Sequence, residues 1–171
     1  IEMREMSKMW LDEAWGEGRH VKRVEKIDNH SGIVLTNGVF DILHKGHIEL
    51  LKFSKNQGDK LIVAIDSDER VRLLKGKDRP INNEEDRRKV LETNRYVDSV
   101  VTFSTSEELK NLYDTLLPDV VVKGSEWTAD ELRKRDEIPD SIQVKVYPLV
   151  GDYSTTNTME KIRSMDTCEK I

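Results

Sequence analysis

Five short runs rich in β-branched and aliphatic residues limit what this chain can fold into. They are GIVLTN at 32–37, KLIVAI at 60–65, DSVVTF at 98–103, DVVVKG at 119–124 and IQVKVYP at 142–148. Several are nearly continuous rather than alternating, the pattern of strands covered on both faces in a parallel sheet. Segments with helical spacing lie between them. HIELLKFSKN follows the first run, and a short helical run follows the second. NNEEDRRKVLETN sets Asn83 before an acidic first turn with basic residues later, in agreement with the helix dipole. TSEELKNLYDTLL offers Thr105 and Glu108 as a capping box. Strands alternating with helices predict an α/β fold: a doubly wound, mostly parallel five-stranded Rossmann-like sheet with helices on both faces.

A chain of 171 residues is the size of one domain with a short appendage. Residues 1–31 stand apart as an N-terminal helical extension or linker, and 32–171 form the domain. MREMSKMWLDEAW can form a helix with Met3, Met6, Trp10 and Ala14 on one side. Such a stripe packs against its own domain or a second subunit; the other reading is a linker from an upstream domain. The first residue is Ile, so the numbering is expected to begin inside a longer gene product.

Apolar and charged residues each make up 36% of the chain, the balance of a soluble protein with a modest core. No apolar run approaches the roughly 20 residues that span a bilayer. The opening IEMREMSKMW lacks the apolar stretch of a signal peptide. The single cysteine, Cys168, allows no intramolecular disulfide and points to a reducing, cytoplasmic setting. A net charge of −5 argues against nucleic acid as a partner but not against a local cationic pocket for a small anion. No membrane partner is expected.

The loop between the first strand and its helix carries the chemistry. In VLTNGVFDILHKGHIELLKFSK, residues 34–55, two histidines flank a lysine and a glycine where a strand hands over to a helix. Ligands of open parallel sheets bind beyond the carboxyl ends of the strands, where this loop falls. The helix start offers unpaired N–H groups and partial positive charge to an anion. Gly38 permits an unusual backbone angle or a close approach, and Gly46 lets backbone lie against a phosphate. His44 and His47 would flank the same volume and donate to phosphate oxygens in either protonation state. Two plainer readings compete: helix capping, and a metal pair with Asp41 as oxygen donor. A zinc site needs three or four ligands, and no other His/Cys cluster is present. Neither G-x-x-x-x-G-K-[ST] nor G-x-G-x-x-G occurs, so phosphates must be gripped in another way.

TNGVFDILHKGHIELL resembles the N-terminal signature of the HxGH nucleotidylyltransferase superfamily, in its cytidylyltransferase-like branch. AIDSDERVRLLKGKDRPINNEEDRRKVLETNRYVDSVV, PDVVVKGSEW and GDYSTTNTMEKI continue the likeness in order, over roughly residues 32–163. LKGKDRPIN and LPDVVVKGSEW are most similar to the domain that adenylylates heptose 1-phosphate. RRKVLETNRYVDSVV and the tryptophan of GSEW are equally similar to glycerol-3-phosphate cytidylyltransferase. One departure stands out: the heptose enzymes tend to read KGGDY where this chain has KGSEW.

The resemblance implies transfer of a nucleoside monophosphate from an NTP, ATP or CTP, to a sugar or polyol phosphate, with release of pyrophosphate. It implies Mg²⁺ on the triphosphate, and a homodimer. His44, His47, Lys75 and Lys77 become the expected catalytic residues. Asn37, Gly38, Phe40, Gly46, Arg87, Ser154, Thr155 and Thr156 become the expected nucleotide contacts, with Arg88 one register slip from Arg87. Asp41, Lys123 and Trp127 are the expected acceptor contacts. For several of these a second reading stays open. Asp41 could fix the loop, the two lysines could be solvated surface, Trp127 could cover core, and Asp68 could touch ribose or brace a neighbour.

Overall fold

A computed structural model of the protein describes residues 32–124, 127–148 and 153–166. The expected N-terminal helix at 1–31 and Cys168 lie outside the described residues. Strands β1 (Ile33–Gly38), β2 (Lys60–Asp66), β3 (Ser99–Phe103), β4 (Val120–Gly124) and β5 (Gln143–Tyr147) fall on the five apolar runs. They form one sheet in the order β3-β2-β1-β4-β5, with every pairing parallel. Helices α1 (Lys45–Lys55), α2 (Asp68–Lys75), α3 (Glu84–Glu92), α4 (Ser106–Leu116), α5 (Ala129–Arg135) and α6 (Thr155–Asp166) occupy the connections.

The near-continuous strands are explained by two cores, one on each face. Val34, Leu61, Val63, Ile65 and Val122 point into a cluster completed by Leu50 and Leu51 of α1 and Leu91 of α3. Their sequence neighbours Leu35, Ile62, Ala64 and Val121 point the other way, against Leu109 and Tyr113 of α4 and Ile138 and Ile142. Each fully buried aliphatic side chain contributes roughly 1.5–3 kcal/mol relative to exposure.

Helix starts follow their caps. Asn83 accepts from Asp86 N at 2.9 Å to open α3. At α4, Thr105 accepts from Glu108 N at 3.1 Å, but Glu108 reaches back to Ser104 N rather than to the cap residue. Helix α5 had no counterpart among the expected elements, although Thr128 and Glu131 form a full reciprocal box there.

The topology also makes a crevice. From β1 the chain steps outward to β2 and β3, then returns to β4 on the opposite side of β1, which is a topological switch point. The β1–β2 ladder continues to Gly38↔Ile65, whereas the β1–β4 ladder stops at Thr36↔Val122. Beyond that pair the two strands part, leaving Asn37 and Lys123 on the walls of an opening at the carboxyl edge. No helix among the described residues is long and apolar enough to cross a membrane.

Candidate active site

His44 is the N-cap of α1, held in extended backbone conformation. Its Nδ1 accepts from His47 N at 3.4 Å, and His47 Nδ1 accepts from His44 N at the same distance. Two imidazoles thus do the work of the usual Ser/Glu capping box. The rings stack with centroids 3.8 Å apart and planes 21° from parallel. Gly46 is required by this stack: a Cβ there would lie 3.1 Å from both Nδ1 and Cε1 of His44, and 3.5 Å from Tyr153 Cβ.

The pair is electrically quiet. Burial, then the neighbouring His44 and Lys75, push His47 down to about 4, against the opposing pull of the Ile42 carbonyl. Burial also lowers His44. At neutral pH both rings are uncharged. With each Nδ1 accepting from backbone, the ring proton sits on Nε2, which makes Nε2–H the donor left for a ligand.

The carboxyl-terminal hydroxyl cluster reaches the same place. Ser154 caps α6, its Oγ accepting from Asn157 N at 2.9 Å. Thr155 Oγ1 donates to Ile42 O at 3.4 Å, tying the start of α6 to the histidine loop 113 residues away. Tyr153 lies over His44 with ring centroids 6.3 Å apart. His44, His47, Ser154, Thr155 and Thr156 line one cleft of about 780 Å³, together with Asn37, Gly38, Phe40 and Gly46. Phe40 adopts φ 49°, a left-handed angle that turns its ring under the loop, 5.2 Å from the His47 ring. Asn37 Oδ1 is buried at this edge with no hydrogen-bond partner among the described residues.

The expected cations divide. Lys75, the last residue of α2, borders the cleft; burial of its ammonium, then the nearby Arg79, lower its pKa, while Asp66 and Asp41 oppose. Lys77 is exposed on the turn beyond and does not line the cleft. Arg87, expected on the nucleotide, is instead buried behind the site. It donates to Asn82 O, Val39 O, Asp66 O and Asp68 Oδ1 at 2.7–3.0 Å, so four of its five N–H groups are committed inside the protein. Asp68 accordingly braces Arg87. Arg88 pairs with Glu92 on the surface.

Two expected acceptor contacts, Asp41 and Trp127, do not line the cleft. Asp41 is buried and turned into the 79–82 loop, accepting from Ile81 N and Asn82 N at 2.8 Å each and pairing with Arg79. It fixes the loop that follows Lys75 and Lys77. Trp127 is half exposed and lies outside the cleft, with the Arg135 guanidinium 5.2 Å above its ring. Lys123 does line the cleft, buried and paired with Asp136 at 2.6 Å. Burial lowers its pKa, and Asp136 works against that.

Several further polar cleft residues carried no expectation from the sequence, among them Asp66, Arg70, Arg135, Asp136 and Tyr153. The i, i+4 spacing of Asp66 and Arg70 was a usable signal, and the two are bonded at 2.8 Å. Among the described residues no group of three or more His, Cys, Asp or Glu could hold a metal ion. The donor set of the cleft, imidazole N–H, ammonium, hydroxyl and helix N-termini, is one for anions.

A family model described as cytidylyltransferase-like matches residues 35–169. The bifunctional protein HldE of Haemophilus influenzae is 45% identical over 132 residues, covering 77% of this chain and 28% of that protein. HldE of Campylobacter fetus is 38% identical over 167 residues, covering 89% of this chain and 36% of that protein. The chain therefore spans about a third or less of the length of these relatives. Among solved structures, the lipopolysaccharide core biosynthesis protein of Thermoplasma volcanium superposes with a TM-score of 0.57 at 31% identity, covering 72% of this chain and 98% of that one. Pantothenate synthetase of Thermus thermophilus shares the fold at a TM-score of 0.52 and 14% identity, covering 82% of this chain and 68% of that one. With the parallel sheet, the capped histidine pair and the hydroxylated helix start at its switch point, this chain belongs to the cytidylyltransferase-like family and is a nucleotidyltransferase.

Proposed function

We propose that the chain transfers AMP from ATP to a heptose 1-phosphate, giving ADP-heptose and pyrophosphate. The observation that carries this is the meeting of His44, His47 and the start of α6 on one cleft. The relatives named HldE and the lipopolysaccharide core biosynthesis protein support a sugar phosphate as acceptor.

An oxygen of the acceptor phosphate is already ionised at neutral pH and needs no base. It attacks the α-phosphorus, a new P–O bond forms, the bond to the bridging oxygen breaks, and pyrophosphate leaves with that electron pair. The obstacle is repulsion between anions, so catalysis consists of alignment and charge stabilisation. The Nε2–H groups of His44 and His47 donate to oxygens of the α-phosphoryl group as charge builds there. Lys75 supplies a full positive charge beside them. The unpaired N–H groups at the start of α6, that of Thr155 among them, and the hydroxyls of Ser154 and Thr156 hold the departing pyrophosphate. Mg²⁺ would accompany the triphosphate as part of the substrate and would supply further neutralisation of its charge.

A second reading, CTP with glycerol 3-phosphate, is favoured by RRKVLETNRYVDSVV and by the family description. Pyrophosphate release from ATP, CTP, GTP and UTP, each with heptose 1-phosphate and glycerol 3-phosphate, separates the two. Turnover with ATP and heptose 1-phosphate supports the first. CTP with glycerol 3-phosphate replaces it with the second, and no release from any pair refutes both.

A further inference from the structure

We propose that the part of the cleft floored by Asp66, Arg70 and Lys123 seats the hydroxyl-bearing body of the acceptor phosphate. This rests on reading the cleft as a nucleotidyl-transfer site. Position supports it first. Asp66 ends β2 and Lys123 lies near the end of β4, so they stand on opposite sides of central β1 where β1 and β4 have parted. Lys75 interacts electrostatically with both His47 and Asp66, and Lys123 with Asp66. Lys75, Asp66 and Lys123 line the same cleft as the imidazoles. An acceptor whose phosphate lies at Lys75 would therefore have its body in the space that Asp66 and Lys123 border.

Chemistry supports it second. Asp66 is 7% exposed, and among the described residues it accepts one side-chain bond, from Arg70 Nε. Its remaining lone pairs can accept hydroxyl protons. The Arg70 guanidinium rests over the Phe103 ring at 5.2 Å, which holds its plane while the terminal N–H groups stay available to a ligand. Lys123 gives one N–H to Asp136 and has two more. With Arg135, which also lines the cleft and pairs with Asp136 at 2.7 Å, these groups carry a net charge of about +1. Their alternating acceptors and donors fit vicinal hydroxyls, each of which does both. Leu109 and Leu132 border the same space and can face ring or chain carbons.

The test uses Asp66→Asn and Arg70→Gln, each checked by thermal melting, with α,β-methylene ATP and CTP as unreactive nucleotides. Calorimetry on the protein–nucleotide complex compares heptose 1-phosphate and glycerol 3-phosphate with ethyl phosphate, which has the phosphate and no hydroxyl. The wild-type protein should prefer a hydroxylated phosphate by at least about tenfold, the scale of one charge-assisted hydrogen bond. Either variant should shrink that preference to within about threefold, while nucleotide affinity stays within about twofold. A preference intact in both variants, or a loss confined to nucleotide affinity, overturns the assignment. So does a wild-type complex that binds nucleotide and shows no preference. Failure of the wild-type protein to bind either nucleotide removes the underlying functional reading instead.

Discussion

Replacing Gly46 with alanine separates the site from the stability of the fold. Gly46 lies inside the first turn of α1, where alanine is favoured over glycine by roughly 0.5–1 kcal/mol. The added Cβ would meet His44 Nδ1 and Cε1 at 3.1 Å. Ordinary contacts between such atoms begin near 3.4 Å, so the ring must retreat by a few tenths of an ångström. His44 Nδ1 is also the acceptor for His47 N, so the retreat weakens the cap, at about 1 kcal/mol. Gain and loss nearly cancel, and the melting temperature should move by no more than about 4 °C. The donors are another matter. A displacement of this order at the reacting centre costs turnover on the order of 10–100-fold. Pyrophosphate release at saturating substrates, beside a thermal melt, reads both quantities. Wild-type turnover in Gly46→Ala would refute the claim that the stacked imidazoles act as a fixed pair. A melting point lowered by more than about 10 °C would show that the contact holds the fold rather than the site.

Three further outcomes are expected. His47→Ala should lower turnover by roughly 10²–10³-fold, as for loss of one transition-state donor, and unchanged turnover in a folded variant contradicts that role. Both imidazoles titrate below the ordinary 6.5 when folded, so the unfolded chain binds more protons between pH 6.5 and about 4. Stability from the neutral pair is full above about pH 6.5 and is lost as pH falls toward 4; an NMR titration should place His47 near 4, and a midpoint of 6 or higher refutes the buried-pair description. Arg87→Ala leaves Asp68 and three carbonyls without their donor and should destabilise by about 3–5 kcal/mol in a denaturant titration. A change below about 1 kcal/mol would instead return Arg87 to the role of a ligand contact.

The parts legible in the sequence are those in which local pattern and tertiary environment demand the same residues. A parallel strand buried on both faces needs apolar side chains at successive positions, so each β-strand was visible as a run. Asn83, followed by three acidic residues, announced α3 because a cap and a dipole act within one turn. Helix α5 carried the same kind of signal at Thr128 and Glu131, but seven residues are too few to display a periodic apolar face. Arg87 and Asp41, whose side chains turn away from the cleft, share one cause. A motif fixes where a residue stands along the chain, whereas the direction of its side chain depends on partners far away. Arg87 answers to Val39, 48 residues earlier, and Asp41 to a loop about 40 residues later. The convergence of Ser154–Thr156 with the histidines was expected from the resemblance, while the Thr155 bond to Ile42 spans 113 residues and leaves no local pattern.

That bond carries a consequence for how the enzyme fails. Neither buried cluster includes a side chain of α6, and Ile162 and Met165 on that helix face solvent. Among the described residues, the proposed pyrophosphate seat is therefore fastened to a scaffold whose two cores do not include it. Heating should undock this last helix before the sheet melts, so that catalysis fades at temperatures where the strands are still intact.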